Sequence, residues 1–138
     1  MTDTVLPIAI SKITHIQKRA DFLACAKAPY CARGAVLIQA LRRDDTPLIR
    51  TGFTATKRIG GAVERNRAKR RLREAARAIL PGLAHPGFDY VFIARGGVTT
   101  REWPRLLDDV KSALVRLAAD RDRPNMTGQA SPQTDRVP

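Results

Sequence analysis

The stretch from Lys57 to Arg77, KRIGGAVERNRAKRRLREAAR, constrains the fold more than any other part of the chain. It carries nine cations and two acids, Glu64 and Glu74, a local charge of +7 in a chain whose formal total is +12. Gly60-Gly61 breaks whatever regular structure precedes it, and the pattern beyond predicts a helix from Ala62 to about Leu80. At about 100° per residue, Ala68, Leu72, Ala75 and Ile79 share one narrow sector, while Asn66, Lys69, Arg70, Arg73 and Arg77 gather on the opposite side. Such a helix needs an apolar layer beneath its oily stripe and cannot bury its cationic one. Pro81-Gly82 is expected to end it, with Arg77 near the negative end of the macrodipole.

The neighbouring segments supply that layer. Ala35 to Leu41 is a compact apolar run suited to a strand, and Arg42 to Pro47 has turn chemistry with paired Asp44 and Asp45. Leu48 to Thr56 alternates, with Ile49, Thr51, Phe53 and Ala55 on one face and Arg50, Gly52, Thr54 and Thr56 on the other. The economical expectation is two antiparallel strands joined by the turn. Asp89 to Arg95 reads as a buried strand. A short helix is expected from Lys18 to Ala28 with Phe22, Leu23, Ala26 and Cys25 inward, followed by a loop through Gly34. A last helix is expected from Arg101 to about Ala119, capped by Thr100, with Trp103, Leu106, Leu107, Val110, Leu114 and Leu117 as its apolar face. The 138 residues thus divide into a flexible lead-in over 1–17, one domain over 18–119 and a disordered polar tail over 120–138.

No secretory signal is expected at the N-terminus, where Pro7 interrupts the apolar run and no basic segment precedes it. No run reaches the roughly 18 apolar residues of a membrane helix. Cys25 and Cys31 lie without a metal-ligand pattern, so reduced thiols and a cytoplasmic location are expected.

An enzyme needs groups that move protons, attack or hold metal. His15 falls in the lead-in and His85 in a loop; two surface histidines explain them more simply than an acid–base pair. Asp44-Asp45 suits a turn, and the adjacent helical pair Asp108-Asp109 diverges in direction. Ser11, Ser112 and Ser131 lack a nucleophile's surroundings, and no phosphate-binding glycine signature is present. The catalytic residues of this chain are therefore expected to be none. For the cationic stripe, the bland alternative is a solvated helix face. Solvated faces usually mix signs so that i,i+4 pairs form, and two glutamates cannot neutralise the seven cations of the helix. Polyanion binding is the stronger reading.

The segment Thr51 to Arg77 resembles the signature of the bacterial ribonuclease P protein component: a strand ending in two cations, a glycine turn, and a helix written RNxxKRxxRE. Here that is Arg65, Asn66, Arg67, Lys69, Arg70, Arg73 and Glu74, with weaker colinear likeness from Lys18 to Ala119. The resemblance implies an α+β fold, an αβββαβα two-layer sandwich with a central sheet and a left-handed βαβ crossover, against the usual hand. It implies the protein subunit of ribonuclease P, an endoribonuclease whose catalytic centre lies in its RNA. Its partners would be the ribonuclease P RNA, one per protein, and precursor tRNA, with no membrane. Magnesium would be bound mainly by the RNA.

Carried over residue by residue, the RNA-binding set would be Arg65, Asn66, Arg67, Lys69, Arg70, Arg73 and Arg77. The 5′-leader-binding set would be Phe22, Thr54, Thr56, Lys57 and Arg58. The chain departs from the family where Ala26 replaces a second aromatic on the first helix and where Ile38 stands at a strand position that can carry tyrosine. Tyr30, in the expected loop, is a ring that could compensate. The competing reading is a non-catalytic basic ribosomal or RNA-chaperone protein. A third reading, a metal-independent nuclease, would depend on His15 and His85.

Overall fold

The structure, a computed structural model, describes residues 13–43 and 47–121. The lead-in before Ile13, the Asp44-Asp45 turn and the tail beyond Arg121 lie outside the described residues. Nine elements follow one another: β1 (Ile13–His15), α1 (Arg19–Cys25), β2 (Tyr30–Arg33), β3 (Val36–Arg42), β4 (Ile49–Thr54), a 3-10 turn (Lys57–Ile59), α2 (Ala62–Leu83), β5 (Phe88–Ala94) and α3 (Trp103–Arg121). The order from α1 onward is αβββαβα. The end of the expected lead-in is not unpaired: Ile13–His15 adds a parallel strand to the edge of β4.

The five strands form one mixed sheet in the order β1-β4-β5-β3-β2. The expected hairpin of β3 and β4 does not form, because β5 lies between them, antiparallel to β3 and parallel to β4. The physical reason is in β5 itself. Phe88, Tyr90, Phe92 and Ala94 on one face, and Asp89 and Val91 on the other, are all buried. A strand buried on both faces needs a neighbour on each side, and the continuous apolar run of its sequence carries that signal. β4, α2 and β5 consequently make a parallel βαβ crossover.

One face of the sheet carries the main core. Val36, Ile38 and Ala40 of β3, Ile49 of β4 and the even-numbered face of β5 pack against Ala68, Leu72, Ala75, Ala76 and Leu80 of α2 and Leu106, Val110, Ala113, Leu114 and Leu117 of α3. Phe53 stacks on Phe92 at 5.2 Å between ring centroids within this layer. The oily stripe of α2 is as the periodicity predicts, shifted to include Ala76 and Leu80 with Ile79 at its margin. Helix α2 also runs past its expected stop, since Pro81 lies inside it. A proline in the last turn removes one backbone donor only, and the packing of Leu80 and Leu83 holds that turn.

The opposite face is covered only in part. Helix α1 lays Cys25 and Phe22 against Ile16, Val91, Leu41 and Ile93. Leu23, expected inward, is 53% exposed, and Ala26 is exposed as well. Only one turn of α1 meets the sheet, so its apolar face is narrower than the sequence suggests. The segment expected to be a loop after α1 contains β2, which pairs antiparallel with β3 around Gly34, φ +51°. Asp109 accepts from Ala35 N at 3.0 Å and from Arg101 Nε at 2.7 Å, tying α3 to that turn. A Cβ on Gly34 would collide with the Asp109 carboxylate. Trp103 is 39% exposed rather than core, and α3 begins at Trp103, two residues later than Thr100 would cap.

Candidate nucleic-acid interface

The cationic side of α2 begins at its glycines. Gly60 adopts φ +142°, and a Cβ there would stand 2.9 Å from the Glu64 side chain, so the turn is built for glycine. The sharp turn lets Lys57 and Arg58 lie directly before the helix. Along α2, Asn66, Arg67, Arg70, Arg73 and Arg77 are exposed, while Arg65 and Lys69 are half-buried.

Their partners divide them. Arg65 donates to Gly60 O at 3.0 Å and so braces the turn that opens the helix. Arg77 pairs with Glu74 at 3.0 Å. The Arg73 guanidinium lies over the Phe53 ring, 5.4 Å from its centroid. Arg71, which the signature leaves unspecified, donates to Val98 O at 2.8 Å and covers Trp103. Among the described residues, Arg67, Lys69, Arg70, Lys57 and Arg58 have no carboxylate partner. The arginines that do meet buried acids are elsewhere. Arg50 grips Asp89 through Nε at 2.8 Å and Nη2 at 2.6 Å, Arg43 joins from the other side, and Arg50 also reaches Asp21 at 3.3 Å. This pairing raises the Arg50 pKa and fixes its charge in place.

A groove of about 1110 Å³ opens beside the start of α2, on the half of the sheet that α1 leaves bare. Thr56, Lys57, Arg58 and Ile59 form one rim, Arg95 and Gly96 another, and Tyr30, Ala32, Leu37 and Ile93 line the rest. The expected leader-binding residues are thus split. Thr56, Lys57 and Arg58 come together on the rim. Thr54 is half-buried on the same strand face, and Phe22 is half-buried against Gly52, where an added Cβ would stand 2.5 Å from its ring. Ile38 points into the main core, so the missing strand tyrosine would not have faced this groove from that position. Tyr30, read from sequence as a loop residue, is a strand residue that lines it. Arg95 also went unassigned; its place after a central strand was the available signal.

Other candidate chemistry is absorbed structurally. His85 donates its backbone N–H to Tyr90 Oη at 3.0 Å and its ring lies 6.0 Å from that of Phe88, while His15 is exposed on edge strand β1. Cys25 and Cys31 are buried free thiols on opposite sides of the sheet, and burial pushes the Cys25 thiol up to about 12. Among the described residues no three His, Cys, Asp or Glu side chains converge as a metal-ligand set. No described helix is long and apolar enough to cross a membrane.

Known proteins are similar to this chain at every level. Residues 10–118 match the Ribonuclease P family. The ribonuclease P protein component of Caulobacter vibrioides is 69% identical over 113 residues, covering 81% of this chain and 76% of that one. That of Ruegeria pomeroyi is 48% identical over 122 residues, covering 86% and 98%. Two solved structures share the fold: the Thermotoga maritima RNase P protein, at TM-score 0.64 and 22% identity over 74% of this chain and 96% of that one, and the Staphylococcus aureus RNase P protein, at TM-score 0.63 and 23% identity over 75% and 94%. A stripe of unneutralised arginines on a crossover helix, beside a cation-rimmed groove, belongs to a chain that these matches place in the ribonuclease P protein component family.

Proposed function

We propose that this chain is the protein subunit of ribonuclease P and acts in the cytoplasm, one copy with one catalytic RNA. The exposed stripe of α2 anchors the ribonuclease P RNA, and the groove receives the 5′ leader of precursor tRNA. The observation that carries this reading is that, among the described residues, Arg67, Lys69 and Arg70 have no carboxylate partner, next to a groove with Thr56, Lys57 and Arg58 on one rim. Guanidinium groups offer several donors to phosphate oxygens, and Asn66 can both donate to and accept from sugar or base edges. Crowded cations on one face repel one another, and phosphates relieve that repulsion.

In the reaction, water attacks the phosphodiester at the leader junction. The tRNA keeps the 5′-phosphate and the leader leaves with a 3′-hydroxyl. The residues of this chain bind and orient: α2 fixes the protein on its RNA, and the groove aligns the single-stranded leader with hydroxyls, cations and apolar floor. The carboxylates of the described residues do not fit a magnesium site, because Asp89 and Asp109 are held by arginines and no cluster forms. On this reading magnesium is held by the RNA phosphates.

Reconstitution tests the proposal. With ribonuclease P RNA at low magnesium, adding this chain should restore cleavage of precursor tRNA at the leader junction, and unrelated structured RNAs should remain uncut. Failure to stimulate that RNA under those conditions would overturn the assignment.

A further inference from the structure

The residues carried over from the family signature stop at the seam between α2 and α3, but the positive charge continues across it. Arg71 reaches over the seam: its Nη1 donates to Val98 O at 2.8 Å, and its guanidinium lies over the Trp103 ring, 5.8 Å from the centroid. Val98 is wholly buried, so the anchor of that guanidinium is firm. Arg67, exposed, stands one turn before Arg71 on the same side of α2. Among the described residues Arg71 meets no carboxylate, because Glu74, Glu102 and Asp109 hold Arg77, Arg105 and Arg101. Trp103 opens α3 on the same apolar face as Leu106 and Val110. Those two are wholly buried, whereas Trp103 projects beyond the core they form and keeps 39% exposure with Arg71 already against it. An indole surface and an unneutralised guanidinium are thus presented together beside the stripe of α2. They lie across the sheet from the groove, since α3 covers the face that carries Ile38 and Phe92 while Leu37 and Ile93 line the groove.

We infer that Trp103 and Arg71 form a separate contact with the ribonuclease P RNA, in which an unpaired base of that RNA stacks on the indole and the adjoining phosphate meets Arg71 and Arg67. The inference rests on the reading of α2 as the anchor for that RNA, and it carries the footprint over the seam onto α3. Unpaired RNA bases are taken up by tryptophan rings and by guanidinium planes, and here the two are already together. A guanidinium has several donors, and Val98 O takes only one edge of Arg71, so other donors remain for phosphate oxygens. Because that hydrogen bond fixes the plane beforehand, little side-chain freedom is lost when the base arrives. The precursor-tRNA leader is not the occupant: its groove is on the other face of the sheet, whereas Trp103 continues the surface of Arg67 and Arg70.

Trp103 is the only tryptophan of the chain, so its own fluorescence reports the contact. Titrating the full chain with ribonuclease P RNA, without precursor tRNA, should quench that fluorescence as the complex forms, and later addition of precursor tRNA should change it no further. In filter binding, Trp103→Leu should assemble roughly ten-fold more weakly, within the range that stacking of one base supplies. Its slope of log K against log salt should stay at the wild-type value, because no phosphate contact is lost. Trp103→Phe keeps a ring and should retain most of the affinity. Unaltered fluorescence in the assembled complex, wild-type affinity in Trp103→Leu, or equal losses in the leucine and phenylalanine variants would each overturn the inference while leaving α2 as the anchor. A wild-type chain that does not bind the RNA at all would overturn both. Thermal unfolding checks the variants; Trp103→Met, a flexible apolar side chain without a ring, replaces Trp103→Leu should that variant not fold.

Discussion

Arg50 and Arg70 carry the same side chain to opposite ends. Arg50 is held by the buried carboxylate of Asp89, which also takes Arg43, and through Asp21 it pins α1 to the sheet. Arg70 is exposed on α2 and, among the described residues, pairs with no carboxylate. Buried acids meet arginines under α1 and beside Gly34, whereas on the cationic face of α2 Glu74 takes Arg77 and, among the described residues, Arg67, Lys69 and Arg70 are left without a carboxylate. Where a guanidinium has its carboxylate, its charge contributes to folding. Where it has none, the charge remains for a polyanion.

The largest effect should come from breaking the first kind. Asp89 is 1% exposed and takes two arginines, so Asp89→Ala removes the buried carboxylate that both share. We expect a loss of about 3–5 kcal/mol of stability, the usual cost of stripping one partner from a buried pair. Thermal unfolding measures it, as a midpoint lower by roughly 10 °C or more. Ribonuclease P RNA should still bind the fraction that remains folded with its usual salt dependence. A changed salt slope would mean that the buried pair and the exposed stripe are not separate systems.

Breaking the second kind should reverse that pattern. Arg67→Ala with Arg70→Ala removes two unpaired cations, so the unfolding midpoint should stay within a degree or two. Assembly with the RNA should weaken about ten- to a hundred-fold at physiological salt. The slope of log K against log salt should fall by between about 1 and 2, near one unit per lost phosphate contact. Filter binding across a salt series reads both quantities. Unchanged assembly would remove α2 as the anchor.

A third substitution probes the junction between the two systems. Gly52→Ala puts a methyl group where the Phe22 ring lies, and the ring must move. We expect a cost of about 1–3 kcal/mol, as for overpacking, together with weaker binding of leader-bearing substrate and unaltered RNA assembly. Loss of assembly equal to loss of leader binding would place Phe22 outside the groove's function.

How much of this was legible in sequence follows from the range of the interactions involved. The two stripes of α2 depend on residues three or four apart, and Ala68, Leu72 and Ala75 are buried as their spacing predicts. The alternation of β4 was equally local, and its faces are as read. What sequence did not yield was pairing between distant segments. β5 lies between β3 and β4 because its own faces are both buried, and β1 pairs at the sheet edge through only three residues. The groove was half legible for the same reason. Thr56, Lys57 and Arg58 are contiguous, whereas Tyr30 and Arg95 reach them only through the registers of four strands. Nor could the sequence distinguish Arg65, turned back onto Gly60 O, or Arg71, turned onto Val98 O, from the free cations beside them.

Arg77 lies between the two kinds and allows the finest test. It is exposed on the helix stripe, yet Glu74, one turn earlier, holds it at 3.0 Å. An exposed i,i+3 pair contributes little to stability, about 0.5 kcal/mol or less, so Arg77→Ala should barely move the unfolding midpoint. Its effect on RNA assembly should also be smaller than that of Arg70→Ala, because binding phosphate requires Arg77 to leave an existing partner. Glu74→Gln supplies the converse. It removes the competing carboxylate and one negative charge from the stripe, so assembly should tighten, by about two- to three-fold, and the salt slope should steepen slightly. If Glu74→Gln weakened assembly instead, Glu74 would be contributing to RNA recognition directly, and the division between paired and unpaired arginines would no longer account for which of them bind.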